Sequence, residues 1–134
     1  MIITYDEKTM AVFRAAMQDK APADLQGWRF VGHAGKPPGQ GPYIEISLSV
    51  SSDGSLDAAF QTFGCPACIA CSEAVCVLAR GRRAEEARLI DASAIVARVG
   101  ELPRAKRHCI ALALAALNNA LNELEGNRGR TVSS

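Results

Sequence analysis

Residues Phe60 to Cys71 read Phe-Gln-Thr-Phe-Gly-Cys-Pro-Ala-Cys-Ile-Ala-Cys, and they join the two halves of the chain. The alternating apolar and polar residues that lead into this stretch are typical of a strand. Pro66 suits the first position of a helix, because that position needs no backbone N–H donor. Cys65, Cys68 and Cys71 follow one another at two C-x-x-C spacings. The stretch therefore predicts a strand that gives way to a helix, with three thiols along the first helical turns.

Cysteine and histidine supply the candidate metal donors of the chain. A thiolate near a helix N-terminus is favoured by the positive end of the helix dipole and by free backbone N–H groups. Sites built from thiolates, or from thiolates and imidazoles, suit zinc ions and iron–sulfur clusters. Cys109, preceded by His108, falls in the first turns of the predicted last helix. The candidate ligands are therefore Cys65, Cys68, Cys71, Cys109 and His108.

The first half of the chain predicts a helix followed by a small antiparallel sheet. Apolar residues at helical spacing predict the helix, and residues that alternate between apolar and polar predict the strands. The predicted elements are a helix over 5–18 that begins with a capping box of Thr4 and Glu7, strands over 28–33 and 44–50, a hairpin turn over 52–54, and a return strand from Leu56.

The second half of the chain predicts helices. They cover residues 66–80, 84–89 and 93–98, with Asp91 as a cap, and a long last helix runs from Pro103 to a point before Gly126. Strands followed by helices indicate an α+β fold, with the helices packed on one face of the antiparallel sheet. We expect one domain over residues 1–125 and a flexible tail over 126–134.

Composition limits the classes of function. The 134-residue chain has a formal net charge of +1, which predicts neither a nucleic-acid partner nor an anionic membrane. It has no apolar run of the roughly 18 residues that a membrane span needs. Its first residues lack the basic region of a signal peptide, so we expect a cytoplasmic protein whose five cysteines stay reduced.

Several motifs together are similar to those of one known family. They are Tyr5-Asp-Glu-Lys8, Asp57-Ala-Ala-Phe-Gln-Thr-Phe-Gly-Cys65, Ile69-Ala70, Arg80-Gly81 and Leu102-Pro-Arg-Ala-Lys-Arg-His-Cys109. On these motifs the chain resembles the IscU/NifU-type iron–sulfur cluster assembly scaffolds. The resemblance implies an N-terminal helix, a three-stranded antiparallel sheet and a C-terminal helical layer. It also implies ligands at Cys65 and Cys109, with His108 as an auxiliary ligand.

One family motif is changed in this chain. The family's remaining cysteine and its aspartate belong to a P-x-C-G-D loop, which here reads Pro37-Pro-Gly-Gln-Gly41. Gly39 replaces the cysteine and Gly41 the aspartate, so the usual site cannot form. Cys68 and Cys71, by contrast, stand where the family has small residues that do not ligate. We therefore expect a relocated site made of Cys65, Cys68 or Cys71, and Cys109, with His108 as a further candidate.

The resemblance also implies partners, namely a cysteine desulfurase and acceptor apo-proteins. The family's L-P-P-V-K segment, which a dedicated chaperone binds, reads Leu102-Pro-Arg-Ala-Lys106 here, and its altered middle argues against chaperone binding. The segment from Arg80 to Arg107 holds eight basic and four acidic residues. It is either a solvated helical surface or a docking patch for an acidic partner.

Three functions fit these features. The first is a scaffold or carrier, itself no enzyme, that binds iron and sulfide or a preformed cluster. The second is a zinc-stabilised interaction module, and the third is a thiol relay in which Cys65 or Cys109 accepts persulfide sulfur. A redox-active C-x-x-C enzyme fits less well, because no thioredoxin-like βαβ pattern surrounds the motif. Cys76 and His33 are expected to be structural.

Overall fold

The computed structural model describes residues 5–18, 30–36, 41–63 and 65–132. Its elements are α1 (Glu7–Gln18), β1 (Phe30–Gly35), β2 (Tyr43–Val50), β3 (Leu56–Phe63), α2 (Pro66–Ala79), α3 (Ala84–Ala87), α4 (Ala92–Val99), a 3₁₀ turn (Arg104–Lys106) and α5 (His108–Val132). The three strands form one antiparallel sheet in the order β1-β2-β3. The predicted α+β class is confirmed, with an N-terminal helix, a three-stranded sheet and helices after it.

The sheet buries one apolar row beneath the helices. Ile44, Ile46 and Leu48 of β2 are fully buried, as their alternation in the sequence predicts. α5 packs across β1 and β2, while α2 packs against β3 and against α5. These contacts enclose a core in which small alanine and cysteine side chains let the two long helices approach each other closely.

Gly32 sets the distance between the sheet and α5. It pairs with Ile46 in the register of β1 and β2. A Cβ atom at Gly32 would lie 2.2 Å from the backbone nitrogen of Ala120 and 2.4 Å from the carbonyl oxygen of Ala116. Glycine is therefore required here, because any side chain would overlap the backbone of the helix.

The hairpin between β2 and β3 follows the prediction. Gly54 has a φ of +90°, a conformation that glycine adopts without steric cost. The Asp53 carboxylate accepts a hydrogen bond from the backbone N–H of Ser55 at 3.0 Å. The turn sends the chain back along β3, which ends at Phe63, just before the cysteine stretch.

The start of α1 differs in detail from the prediction. The helix begins at Glu7, and the carboxylate of Asp6 caps it by accepting the backbone N–H of Thr9 at 2.8 Å. Thr4 and Trp28, which the sequence predicts to belong to a capping box and to the first strand, lie outside the described residues. The prediction that Asp91 caps α4 is confirmed, since its side chain accepts the N–H of Ala94.

Both ends of α5 also differ from the prediction. Pro103 has an extended backbone and accepts the N–H of Lys106 in a 3₁₀ turn, so α5 begins only at His108. The helix then continues through Gly126 to Val132. A glycine in a helix costs only about 1 kcal/mol relative to alanine, which is too little to end a long helix. The flexibility of residues 126–134 and the single domain over 1–125 stay predictions.

In the described part of the chain, none of the helices is both long enough and apolar enough to cross a membrane.

Candidate metal centre

Cys65 marks the start of α2. It is the N-cap residue, with an extended backbone, and its carbonyl oxygen accepts the N–H groups of Cys68 and Ile69 at 3.0 and 3.2 Å. Pro66 occupies the beginning of the helix, as the sequence predicts. The side chain of Cys65 is half-buried. It therefore lies at the positive end of the helix dipole and still reaches the surface.

Two helix N-termini meet at this point. Cys68 lies in the first turn of α2 and Cys109 is the second residue of α5, and both are fully buried. The sulfur of Cys68 lies 3.0 Å from that of Cys109 and 4.0 Å from that of Cys65. All three sulfurs lie within 4.8 Å of one another. The fold thus joins cysteines that are more than 40 residues apart into one group, the sulfur triad of Cys65, Cys68 and Cys109.

The spacing of the sulfur triad suits a metal. Zinc–thiolate bonds of about 2.3 Å in tetrahedral geometry hold neighbouring sulfurs about 3.8 Å apart. The distances in the triad run from 3.0 Å to at most 4.8 Å, so small side-chain movements bring all three to that spacing. Soft thiolate donors at the positive ends of two helices favour zinc or iron–sulfur clusters over hard cations such as magnesium.

His108 lies beside the sulfur triad on the exposed side. Its Nε2 atom is 3.8 Å from the sulfur of Cys109, and its side chain faces solvent. An imidazole at this distance can supply a fourth donor after a change of rotamer, or accept a proton that a thiol gives up. Its role as an auxiliary ligand stays a prediction.

The thiols of the triad differ in acidity. The sulfurs of Cys68 and Cys109 share a hydrogen bond in which either can be the donor. This hydrogen bond first, and then the one with Cys65, lower the pKa of Cys68 to about 6. The same hydrogen bond, together with burial, raises the pKa of Cys109. Cys68 is therefore the more acidic thiol of the pair, and Cys109 holds its proton more tightly.

The other two cysteines lie outside the sulfur triad. Cys71 and Cys76 are fully buried, and burial raises the pKa of each to about 12. Both are therefore neutral thiols that pack like small apolar side chains. Cys76 lies in the hydrophobic core, where the sequence analysis placed it. The use of Cys71 as a ligand stays a prediction, since the structure groups the other three sulfurs without it.

Tyr5 is a neighbour of the site that the sequence analysis did not identify as functional. It packs against the core. Burial first, and then the interaction with Cys65, raise the pKa of the Tyr5 hydroxyl to about 12. The phenol therefore stays protonated beside the sulfur at the open edge of the triad. The spacing of the cysteines gives no sign of it, because the two residues are far apart in the chain.

The segment that carries Tyr5 is anchored beside the site. The carboxylate of Asp6 accepts the backbone N–H of Glu101 at 3.1 Å, and the hydroxyl of Thr9 donates to the carbonyl oxygen of Val99. Hydrogen bonds from Thr9 and Glu101 lower the pKa of Asp6. These contacts fix the N-terminal segment against the chain that leads to Cys109.

The loop that carries Gly39 and Gly41 contributes no ligand in its described part. Gly41 lies before β2 and has no side chain, while Gly39 falls outside the described residues. The expectation that the family's usual site is missing here therefore rests on the sequence. Among the described residues, the group that could hold a metal ion is the sulfur triad.

The basic segment from Arg80 to Arg107 divides into two parts. Arg80 and Arg88 are occupied within the molecule, since Arg80 donates to the carbonyl oxygen of Ala58 and Arg88 pairs with Glu125 at 2.9 Å. Arg104, the first residue of the 3₁₀ turn, and Arg107, the residue directly before His108, are both exposed. The positive charge next to the metal centre thus comes from the second part of the segment.

The fold and the site define a class, an α+β protein with three cysteines that could hold a metal ion where the N-termini of two helices meet. Residues 6–131 match the family described as "NifU-like N terminal domain". The chain belongs to this family, and the resemblance read from the sequence motifs is confirmed.

Individual relatives agree with the family match. The chain is 37% identical over 100 residues to "Iron-sulfur cluster assembly scaffold protein IscU 1" of Archaeoglobus fulgidus, which covers 75% of this chain and 65% of the relative. It is 33% identical over 93 residues to the IscU scaffold protein of Haemophilus influenzae, covering 69% of this chain and 73% of the relative.

A longer relative extends the comparison. The chain is 32% identical over 129 residues to "Nitrogen fixation protein NifU" of Azotobacter chroococcum, which covers 95% of this chain and 40% of that protein. The chain thus spans less than two-thirds of the length of the archaeal and the nitrogen-fixation relatives.

Proposed function

We propose that this chain is an iron–sulfur cluster assembly scaffold or carrier that holds its cargo through Cys65, Cys68 and Cys109. The observation that carries the proposal is the sulfur triad, in which three thiols from two helices lie within 4.8 Å of one another. The names of the matched relatives, iron–sulfur cluster assembly scaffold proteins, support the same conclusion. Cys68 replaces the cysteine that is missing from the loop at Gly39.

The residues of the site have different roles in binding the cargo. Cys68 has a lowered pKa and gives up its proton readily, while the pKa of Cys109 is raised, so binding of the cargo has to displace the Cys109 proton. His108 lies close enough to receive that proton or to act as the fourth donor. Cys65 is the half-buried sulfur at the edge, where iron and sulfide enter and the finished cluster leaves.

The proposed scaffold is not itself an enzyme. Its sulfur would come from a cysteine desulfurase, and its cluster would go to acceptor apo-proteins in the cytoplasm. The exposed Arg104 and Arg107 lie shortly before His108, so an acidic partner surface would dock beside the metal centre. The altered middle of the Leu102–Lys106 segment continues to argue against chaperone binding.

A second candidate function is a zinc-stabilised module or sulfur relay. The donor set favours it, because three cysteines and one histidine form a common structural zinc site. In this alternative, zinc would tie α2 to α5 and no cluster would be transferred. A persulfide formed on Cys65 or Cys109 in the presence of a desulfurase would distinguish the relay from a purely structural zinc site.

The test is reconstitution of the metal-free protein with ferrous iron and sulfide in the absence of oxygen. We expect a brown protein with visible absorption that transfers its cluster to an apo-ferredoxin. Cys65→Ala and Cys109→Ala should lose most of the bound iron, because each removes one of three sulfur donors. Iron and sulfide content and the visible spectrum report the outcome.

Cys76→Ala is the matched control for these variants. Cys76 is as deeply buried in α2 as Cys68 but lies outside the sulfur triad. It should therefore keep the full cluster content of the unmodified protein. Unchanged iron in Cys65→Ala and Cys109→Ala, with all variants folded by circular dichroism, would exclude the proposed site.

A further inference from the structure

Cys68 and Cys109 lie closer together than a bound metal would hold them. Their sulfurs are 3.0 Å apart, whereas two thiolates on one tetrahedral zinc ion lie about 3.8 Å apart. A disulfide bond is about 2.0 Å long, so the two sulfurs need to approach by only about 1 Å to form one. The metal-free pair is thus nearer to a disulfide than the pair of Cys65 and Cys68, whose sulfurs are 4.0 Å apart.

The surroundings of the pair also favour a bond between these two sulfurs. Cys68 and Cys109 lie in the first turns of two helices that pack against each other. Both are fully buried, while Cys65 beside them is half-buried and open to small reagents. The sulfur of Cys68 therefore lies between those of Cys65 and Cys109, so a bond that forms first with Cys65 can be exchanged for one with Cys109.

We propose that, in the metal-free protein, Cys68 and Cys109 form a reversible disulfide that closes the site to metal. The inference rests on the proposed function in one respect, namely that the sulfurs joined by the disulfide are also those that bind the metal. The disulfide itself requires no metal and no partner protein. Formation of the disulfide and binding of a metal exclude each other. The disulfide removes two of the three sulfur ligands, and a bound metal holds the same two sulfurs too far apart to form a bond.

The oxidant is hydrogen peroxide, and the steps balance. Peroxide oxidises the thiol of Cys65 to a sulfenic acid and releases one water as its O–O bond breaks. The thiol of Cys68 loses its proton and attacks this sulfur, which forms a disulfide with Cys65. The displaced hydroxyl group takes up the proton and leaves as the second water. The thiol of Cys109 then loses its proton and attacks Cys68, which forms the final disulfide and expels Cys65 as a thiolate that takes up the proton. Two thiols have lost two electrons and two protons to one peroxide.

The test treats metal-free protein, prepared with a chelator under anaerobic conditions, with one equivalent of hydrogen peroxide. Free thiols are then alkylated in denaturant, and the protein is digested and analysed by mass spectrometry. We expect a mass about 2 Da lower before alkylation, three alkylated cysteines out of five, and a cross-link between Cys68 and Cys109. A reducing dithiol should restore all five thiols.

Matched variants locate the bond. Cys71→Ala and Cys76→Ala should form the disulfide as the unmodified protein does, because neither belongs to the sulfur triad. Cys68→Ala should not form the cross-link to Cys109. Cys65→Ala should form it more slowly, because it lacks the half-buried sulfur that peroxide reaches first. No cross-link in the unmodified protein, or a final cross-link to Cys65 or Cys71, would overturn the proposal.

A zinc titration separates this inference from the proposed function. Oxidised protein should bind zinc more than about tenfold more weakly than reduced protein, since loss of a single supporting contact already costs tenfold or more. Equal zinc affinity in the two forms would refute the closing of the site. A third outcome is also informative. If the reduced protein binds neither zinc nor a cluster, the proposed function is refuted. If the oxidised protein still contains the cross-link, the disulfide itself is nevertheless confirmed.

Discussion

At the scale of single residues, the five cysteines differ in what surrounds them. Cys65, Cys68 and Cys109 lie at the starts of two helices, where the backbone N–H groups favour thiolates. Cys71 and Cys76 lie further along α2 among apolar side chains, where burial raises their pKa values. Position relative to a helix start, more than spacing in the sequence, therefore separates candidate ligands from packing residues.

The raised pKa of Cys109 leads to a prediction about pH. Because the metal-free protein keeps this proton at neutral pH, zinc must displace it, and a higher pH makes the displacement easier. We expect zinc affinity to rise with pH by up to about tenfold per pH unit for each displaced proton. Competition with a chromogenic chelator between pH 6 and 8 measures the change (the chelator's own pH dependence is corrected for).

Cys109→Ala is the comparison for this measurement. Zinc binding by the variant should be weaker and should depend less steeply on pH, because the proton of Cys109 is no longer there to displace. An unmodified protein whose zinc affinity does not change over this range would show that no thiol loses a proton on binding.

The sequence was sufficient to predict some residues of the site but not others. C-x-x-C spacing and the residues before Cys109 were sufficient to select Cys65, Cys68 and Cys109 as candidates. They could not decide between Cys68 and Cys71, because three-residue steps along a helix leave several rotations around its axis open. The structure groups Cys68 with Cys65 and Cys109, and the use of Cys71 stays a prediction. Tyr5 was beyond sequence reasoning altogether, since its contact with Cys65 depends on how the N-terminal segment is anchored at Val99 and Glu101.

At the scale of elements, the contact of β1 with α5 positions the site. α5 carries Cys109 at its start and crosses β1 at Gly32, so the strand fixes where the helix lies. β3 leads directly into the cysteine stretch before α2. The sheet thus supports both helices whose N-termini meet at the sulfur triad.

Gly32→Ala should strongly destabilise the protein. The new Cβ would lie 2.2 Å from the backbone nitrogen of Ala120, and backbone atoms cannot move aside as a flexible side chain can. We expect the free energy of unfolding to fall by about 2 kcal/mol or more, as in other overpacked cores. Urea denaturation followed by circular dichroism gives the value.

Gly126→Ala is the matched control and tests the end of α5. Nothing lies within 4 Å of a Cβ atom at Gly126, and the helix continues on both sides of it. The substitution should raise the free energy of unfolding by about 1 kcal/mol, because alanine is the better helix former. No gain in stability would instead support the flexible tail that the sequence predicts from residue 126.

Periodicity predicted the existence of the elements better than their ends. The alternation in β2 and the turn at Gly54 identified the hairpin, because apolar burial and glycine conformation are local properties. The ends of α5 were wrong. Pro103 forms a 3₁₀ turn with Lys106 instead of opening the helix, and Gly126 does not end it. A helix that is already formed extends by one hydrogen bond per added residue, so a single glycine does not end it, and no local pattern records this cooperativity.

At the scale of the whole molecule, one centre connects the two halves of the chain. The sheet comes from the first half and the helical layer from the second, and the sulfur triad lies where they meet. Exposed basic residues beside Cys109 offer a place for an acidic partner next to the cargo. The loss of side chains at Gly39 and Gly41 is therefore compatible with a working scaffold whose third sulfur is Cys68.

The most direct test is the iron and acid-labile sulfide content of the protein, purified without oxygen, together with its visible spectrum. We predict iron and sulfide in equal amounts, a brown colour, and loss of both in Cys68→Ala, in which only the relocated sulfur is removed. Colourless protein that holds one zinc ion and no sulfide, and that cannot be reconstituted with iron and sulfide, would contradict the cluster scaffold.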